Sequence, residues 1–132
     1  VNVFGTWNLT RLAMPALRTG GDGAVVVVSS VAGVRPTGSS IPYAMSKAAL
    51  NHMVALLANV VGPQVRVNAV APGLIRTPWT AGWGPLPEAM ETMAPLGRSG
   101  EPDGVAEVVV ALATARYLTG QVVVVDGGLS LR

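Results

Sequence analysis

The sequence predicts an α/β fold, in which a parallel β-sheet carries helices on both faces. Three short valine-rich segments are typical of strands in a parallel sheet. Longer segments with apolar residues at helical spacing alternate with them, which gives the order helix, strand, helix, strand, helix, strand. Because parallel strands are joined by right-handed helical crossovers, the helices are expected to cover both faces of the sheet.

The first helix is predicted over residues 2–17, where apolar side chains recur at helical spacing. This pattern favours a mostly buried helix, whose last turn is weakened by Pro15. The glycine-rich segment 19–23 is typical of a turn. Four consecutive valines then predict a first strand over residues 24–28, buried on both faces.

The middle of the chain predicts the second helix and the second strand. A loop rich in Gly, Ser and Pro covers residues 32–42. The helix follows over residues 43–59 and the strand over residues 65–70. Within this strand Asn68 is predicted to have a structural role, tying the strand to the loop that follows it.

The last third of the chain is predicted to be irregular over residues 74–100, apart from a short helix over residues 88–93. A longer helix is predicted over residues 103–115, with Asp103 as a candidate N-cap. Residues 121–125 are again valine-rich and predict the third strand.

The composition of the chain excludes several function classes. The chain has 132 residues and a net charge of +2, and its basic residues are scattered, so nucleic-acid binding is not expected. It has no cysteine and one histidine, His52, which excludes a disulfide frame and a Cys- or His-rich metal site. His52 is predicted to lie at the surface or an interface. No membrane span or secretory signal is predicted, so we expect a single cytoplasmic domain.

The low charge of the chain points to extensive burial or to missing partner segments. Half of the residues are apolar and only 12% are charged. The sequence opens on Val1 in what reads as the middle of a helix. We therefore expect the chain to be part of a longer protein.

Polar residues of catalytic type are expected to meet at one edge of the sheet. Ligands of open parallel sheets bind outside the carboxyl ends of the strands. Ser29 and Ser30 follow the first predicted strand, and residues 72–77 follow the second. The helix that carries Tyr43 and Lys47 starts from a loop on the same edge, so these groups can converge on one cleft.

Tyr43 and Lys47 are four residues apart, which places both side chains on one face of a helix. A cation about 4–6 Å away favours the phenolate form of a tyrosine. Such a phenol can give a proton to a carbonyl oxygen or take one from an alcohol, and the Ser30 hydroxyl could hold the same oxygen. A lone pair of this kind is more often an ordinary surface pair, so the surrounding pattern has to decide.

That pattern resembles the short-chain dehydrogenase/reductase family. The resemblance runs over nearly the whole chain, in five segments that follow the family order: VNVFGTW (1–7), VVVVSSVAG (25–33), YAMSK (43–47), RVNAVAPGLIRTP (66–78) and LTGQVVVVDGG (118–128). It implies a Rossmann-type, doubly wound parallel sheet. It also implies an oxidoreductase that moves hydride between NAD or NADP and an alcohol or carbonyl substrate. Family members of this kind form dimers or tetramers.

The resemblance also implies roles for individual residues. Tyr43 is similar to the family's catalytic acid/base, Lys47 to the residue that assists it and binds the nicotinamide ribose, and Ser30 to the residue that orients the substrate oxygen. Asn2 is similar to the residue that anchors a water-mediated proton relay to Lys47. The resemblance implies that Tyr43 and Lys47 also contact the cofactor. The loop expected to hold the nicotinamide carboxamide and the diphosphate corresponds to Pro72, Gly73, Ile75 and Thr77.

The chain departs from the family pattern in what it lacks. The family domain begins with a strand and a glycine-rich turn that holds the cofactor diphosphate. The only dense glycine cluster here, residues 20–23, precedes a strand and does not follow one. We therefore predict an incomplete fold: residues 1–132 are the catalytic and substrate-binding C-terminal part of one domain, and its N-terminal nucleotide-binding half is absent.

Several alternatives stay open at the level of sequence. Ser29 is a second candidate for the serine role, Asn2 could simply start a helix, and Pro72-Gly73 could be only a turn that ends a strand. Trp79 and Trp83 lie in the family's variable substrate lid, where they suggest a bulky apolar substrate but could equally pack the lid shut. The whole chain could also be a truncated, non-catalytic remnant that only associates, or belong to a related epimerase or dehydratase.

Overall fold

The computed structural model describes all residues from Val1 to Arg132 and contains a three-stranded parallel sheet with the strand order β1-β2-β3. The strands are β1 (Gly23–Val28), β2 (Val65–Pro72) and β3 (Val122–Val125). Val28 aligns with Val70, and Pro72 aligns with Val125. The predicted α/β class and the parallel sheet are therefore confirmed, and the three carboxyl ends lie at one edge.

Four α-helices surround the sheet: α1 (Asn2–Thr19), α2 (Ile41–Val61), α3 (Leu86–Met93) and α4 (Pro102–Thr114). α1 and α2 pack on the face of β1 and β2 that carries Val27, Val65 and Val67, and α2 contributes Leu50 and Val54 to this core. α4 packs on the opposite face, where Arg66 donates hydrogen bonds to carbonyl groups at the end of α4. The sheet is therefore covered on both faces, as predicted.

Local hydrogen bonds explain where the predicted helix boundaries were wrong. α2 begins before Tyr43 because the Ser40 hydroxyl accepts a hydrogen bond from the Tyr43 amide and caps the helix. Asp103 is not the N-cap of α4. Glu101 occupies that position and Pro102 is the first helical residue, which suits a residue that lacks an N–H. Three single-turn 3-10 helices, at Val31–Gly33, Thr80–Gly82 and Leu129–Leu131, were not predicted.

Burial of the first two elements is lower than predicted. Thr10 is the one buried residue of α1, and Phe4 on its outer side is 76% exposed. In β1 the buried residues are Gly23 and Val27, whereas Val28 is 54% exposed. The reason is that α1 touches the rest of the protein on one side, and β1 pairs only with β2.

α2 is the central helix of the fold. By length and hydropathy it could cross a membrane, but its buried residues, Leu50, Val54, Leu57 and Val61, recur at helical spacing. Residues spaced three or four positions apart lie on one side of a helix, so these four form one buried stripe that packs on the sheet. α2 is thus the core helix of the domain, and it carries Tyr43 and Lys47 in its first turns.

Asn68 is buried in β2 and has the structural role that was predicted. Its side-chain amide donates to the Leu118 carbonyl at 2.8 Å and its carbonyl oxygen accepts from the Gln121 amide at 3.1 Å. The partner segment differs from the prediction, because Asn68 ties β2 to the residues before β3 and not to the loop after β2. His52 lies exposed on α2, as predicted.

Candidate active site

Tyr43 and Lys47 lie on one side of α2, at the carboxyl edge of the sheet. The Lys47 Nζ atom is 5.6 Å from the centre of the Tyr43 ring, and both side chains are half-buried. The same ammonium donates a hydrogen bond to the Val28 carbonyl oxygen at 2.9 Å. Burial lowers the pKa of Lys47. The pair therefore faces the end of β1, where Ser30 follows.

Ser30 is buried at the start of the first 3-10 turn. Its Oγ atom accepts a hydrogen bond from the Ala32 amide at 3.2 Å, and it donates to no group of the chain. The Ser29 hydroxyl instead donates to the Lys47 carbonyl at 3.3 Å. Of the two candidate serines, Ser30 is thus the one whose proton is free for a ligand oxygen. Its catalytic role stays a prediction.

Gly33 brings the Ser30 turn into direct contact with the backbone of α2. A Cβ atom at Gly33 would lie 2.6 Å from the Lys47 carbonyl carbon and 2.8 Å from the Ala48 nitrogen. The side-chain amide of Asn51 donates to the Gly33 carbonyl at 2.9 Å. These contacts hold the Ser30 turn and the Tyr43–Lys47 segment as one unit.

Asn2 lies at the start of α1 and contacts the same turn of α2. Its side-chain amide donates to the Ser46 hydroxyl at 3.0 Å, and Ser46 donates to the Tyr43 carbonyl at 2.7 Å. Asn2 therefore contacts the neighbour of Lys47, and its predicted water-mediated relay to Lys47 stays a prediction. The sequence did not predict Ser46 as a residue of the site. The one signal for it is that its hydroxyl stands between Tyr43 and Lys47 in the sequence.

The loop after β2 carries the four residues predicted to hold the cofactor. Pro72 ends β2, and a Cβ atom at Gly73 would lie 2.6 Å from the Asp126 Cβ atom, so a glycine is required where the loop passes the end of β3. Ile75 pairs with Gly100 as an isolated parallel bridge. This gives Gly73 a packing reason that is independent of any ligand.

Thr80 fixes the second half of this loop. The buried Thr80 hydroxyl accepts from the Thr77 amide and donates to the Ile75 carbonyl, each at 2.9 Å. Trp79 precedes it and meets Trp83 edge-to-face, with ring centres 5.0 Å apart. Trp79 is nevertheless 63% exposed, so the contact with Trp83 covers only part of its ring.

One carboxylate connects α3 to this loop. Glu91 Oε1 accepts from the Ser99 amide at 3.1 Å and from Arg76 Nη2 at 3.0 Å. Hydrogen bonds from Ser99, and then from Arg76, lower the pKa of Glu91. No residue of α3 is buried, so these bonds are a main connection of the helix to the fold.

We expect the attachment of α3 to depend on pH through Glu91. The pKa of Glu91 is lower in the folded state than in the unfolded chain, where it is about 4.3. The carboxylate therefore stabilises the attachment of α3 fully above the unfolded pKa, and this stabilisation is lost as the pH falls through the folded pKa. Hydrogen exchange at residues 86–93, corrected for the intrinsic rate, should accelerate below about pH 4. In Glu91→Ala, which removes the acceptor oxygen, exchange should be fast already at pH 7, whereas Glu107→Ala on α4 should leave it unchanged. Unchanged exchange in Glu91→Ala would show that packing alone holds α3.

The glycine cluster before β1 lies away from this edge. Residues 20–22 precede β1 and Gly23 is its first residue, so the cluster lies at the amino end of the strand, and a Cβ atom at Gly23 would lie 2.5 Å from the Leu17 carbonyl oxygen. Gly23 is thus explained by the packing of β1 on α1. The groups brought together at the carboxyl edge are Ser30, Tyr43, Lys47 and the loop after β2.

The chain matches known proteins over its whole length. A family model described as Enoyl-(Acyl carrier protein) reductase matches residues 1–130. A relative from Streptomyces violaceoruber, named "Granaticin polyketide synthase putative ketoacyl reductase 2", is 55% identical over 99% of this chain and 54% of its own length. The short-chain dehydrogenase/reductase homolog YusR of Bacillus subtilis is 38% identical, over 96% of this chain and 98% of its own length. The chain thus spans about half of the first relative and nearly all of the second.

Solved structures also match this chain over nearly its whole length. A 3-oxoacyl-[acyl-carrier protein] reductase from Brucella melitensis with bound NAD has a TM-score of 0.87 and 36% identity, and the match covers 97% of this chain and 48% of that one. ElxO with bound NADP has a TM-score of 0.89 and 26% identity, over 99% of this chain and 56% of that one.

Proposed function

Because the chain belongs to the short-chain dehydrogenase/reductase family, we propose that residues 1–132 form the catalytic C-terminal part of one oxidoreductase domain. The observation that carries this proposal is the contact of the Ser30 turn with α2 at Lys47. This contact brings the Ser30 hydroxyl, whose proton is free, to the same sheet edge as Tyr43 and Lys47. The Lys47 Nζ atom lies 5.6 Å from the centre of the Tyr43 ring. Such an arrangement suits proton exchange with an alcohol or carbonyl oxygen.

In the direction of reduction, a nicotinamide held by Lys47 and the loop after β2 would supply the hydride that the carbonyl carbon receives. Tyr43 gives the proton of its hydroxyl to the carbonyl oxygen, so the C=O π bond breaks while a C–H and an O–H bond form. Ser30 donates a hydrogen bond to the same oxygen as its charge develops. The Lys47 ammonium stabilises the phenolate that remains on Tyr43.

Lys47 and the loop after β2 are the proposed residues for the nicotinamide end of NAD or NADP. The ammonium has three N–H donors, and one of them is used on the Val28 carbonyl, so two remain for ribose hydroxyls. Pro72, Gly73, Ile75 and Thr77 are proposed to contact the carboxamide side. These residues suit the nicotinamide half of the cofactor, whereas a Gly-x-x-x-Gly-x-Gly turn for the diphosphate does not follow any of the three strands. The preference between NAD and NADP is left open.

The proposed substrate is a small alcohol or carbonyl compound. Relatives named as a ketoacyl reductase and as 3-oxoacyl-[acyl-carrier protein] reductases support a ketone on an acyl chain. The exposed Trp79 beside the loop after β2 supports an apolar or aromatic substituent near that ketone.

We also propose a cytoplasmic homo-oligomer, a dimer or a tetramer. A chain without cysteine forms no disulfide, which is compatible with the cytoplasm. Exposed apolar side chains on the outer side of α1, Phe4, Leu9 and Leu12, support a buried contact surface there. The second candidate, a non-catalytic module that only associates, is favoured by the same exposed surface.

Cofactor binding and turnover separate the two candidates. We expect the 132-residue chain alone to bind NADH or NADPH weakly, because the diphosphate lacks its glycine-rich turn. The chain is then joined to the upstream half of the granaticin ketoacyl reductase, which is 55% identical over the shared part. We expect this completed protein to reduce ketones, followed by cofactor absorbance at 340 nm. A completed protein that binds cofactor but reduces none of a panel of acyl and aryl ketones would favour the non-catalytic module.

A further inference from the structure

The Ser30 turn is tied to α2 by a side chain to which the resemblance gives no role, that of Asn51. Building on the proposed function, we propose that Asn51 is a positioning residue that sets the place of the Ser30 hydroxyl relative to Tyr43. Asn51 lies one helical turn after Lys47 and about two turns after Tyr43, on the same side of α2.

The contact made by Asn51 acts on the turn that Ser30 begins. The Asn51 side-chain amide donates to the Gly33 carbonyl at 2.9 Å. The Gly33 amide in turn donates to the Ser30 carbonyl at 2.9 Å and closes the 3-10 turn. A movement of Gly33 away from α2 would therefore move Ser30 as well.

The other bonds between this turn and α2 do not replace this contact. The Ser29 hydroxyl reaches the Lys47 carbonyl at 3.3 Å, a long bond that fixes the residue before Ser30. Lys47 holds the Val28 carbonyl at 2.9 Å, but its ammonium is the group proposed to serve Tyr43 and the cofactor. Asn51 is the side chain that holds the far end of the turn.

The carbonyl oxygen of the Asn51 side chain indicates that stability alone does not explain this residue. Its Oδ1 atom is buried and has no hydrogen-bond partner in the chain. A buried acceptor without a partner lowers stability, and an apolar residue of similar size would avoid that loss. Groups of this kind in native proteins are expected at functional sites.

Asn51→Leu tests the proposal, because leucine keeps the size of the side chain and removes both the donor and the unpaired acceptor. We expect the thermal midpoint of the 132-residue chain to stay the same or rise, while hydrogen exchange at residues 30–34 accelerates by about tenfold or more. In the completed protein we expect kcat to fall by roughly 10–100-fold, with the KM for the cofactor unchanged within about twofold, because misplacing a catalytic group impairs the chemical step. Asn59→Leu, an exposed asparagine on the same helix, is the matched control and should change none of these values.

A second variant guards against a loss of folding. Asn51→Asp keeps the shape of the side chain, but its carboxylate cannot donate to the Gly33 carbonyl, so the same loss of kcat is expected. A kcat within about twofold of the wild type in both variants would overturn the proposal. Unchanged hydrogen exchange at residues 30–34 in Asn51→Leu would also overturn it, and this needs no turnover. An inactive wild-type protein would instead count against the proposed function.

Discussion

Replacing Tyr43 with phenylalanine should reduce kcat of the completed protein by about 10²–10⁴-fold, the usual contribution of a positioned proton donor. The substitution removes one oxygen atom and keeps the ring, whose centre lies 5.6 Å from the Lys47 Nζ atom. Proton delivery is therefore lost, whereas the packing of α2 is kept. The KM for the cofactor should change little, since Lys47 and the loop after β2 are untouched.

The second tyrosine of the chain provides the control for this experiment. Tyr117 is fully exposed, and the same chemical change in Tyr117→Phe should leave kcat at the wild-type value. Thermal unfolding of both variants should match the wild type, because substitutions away from the core usually change stability by about 0.5 kcal/mol or less. A Tyr43→Phe protein with wild-type kcat would remove Tyr43 from the proton transfer.

Gly33→Ala should have the largest effect on the structure around the site. The added Cβ atom would lie 2.6 Å from the Lys47 carbonyl carbon and 2.8 Å from the Ala48 nitrogen. Both are backbone atoms of a central helix, so the Ser30 turn has to move away from α2. Overpacking typically costs about 1–3 kcal/mol, which for a domain of this size corresponds to a Tm lower by roughly 5–15 °C. A displaced Ser30 should also lower kcat by about 10²-fold.

The matched control for Gly33→Ala is Gly104→Ala. Gly104 lies in α4, and a Cβ atom there would meet nothing within 4 Å. Alanine in a helix is favoured over glycine by roughly 0.5–1 kcal/mol, so this variant should be as stable as the wild type or more stable. Equal Tm and equal kcat in Gly33→Ala and the wild type would show that the turn is not held against α2.

The elements of the fold could largely be predicted from the sequence, because β1 and β3 are runs of valines, β2 is valine-rich, and the long helices repeat their apolar residues at helical spacing. Burial could not be predicted as well. The valines of β1 and the apolar side chains of α1 suggest buried elements, but a pattern does not say what covers each face. In the structure Phe4 and Val28 are exposed, since nothing in the described chain packs over them.

The residues of the candidate site divide in the same way. Tyr43, Lys47 and Ser30 could be proposed from spacing and resemblance, and the structure places them at one sheet edge. The supporting residue Asn51 could not be proposed, because it reaches a partner 18 positions away along an irregular loop. Ser46 offered one weak signal, its hydroxyl between Tyr43 and Lys47. Gly73 shows the opposite case. Its glycine suggested a ligand contact, whereas the close approach of Asp126 gives it a packing reason.

In the proposed mechanism, Ser30 and Tyr43 hold one and the same substrate oxygen. A crystal structure of the completed protein with NADP and an unreactive ketone or alcohol analogue tests it most directly. We predict that the analogue's oxygen lies about 2.6–3.2 Å from both Ser30 Oγ and Tyr43 Oη, the range of a hydrogen bond that can transfer a proton. An analogue oxygen held by other residues, with the Tyr43 hydroxyl turned away from it, would exclude proton transfer from Tyr43 as proposed.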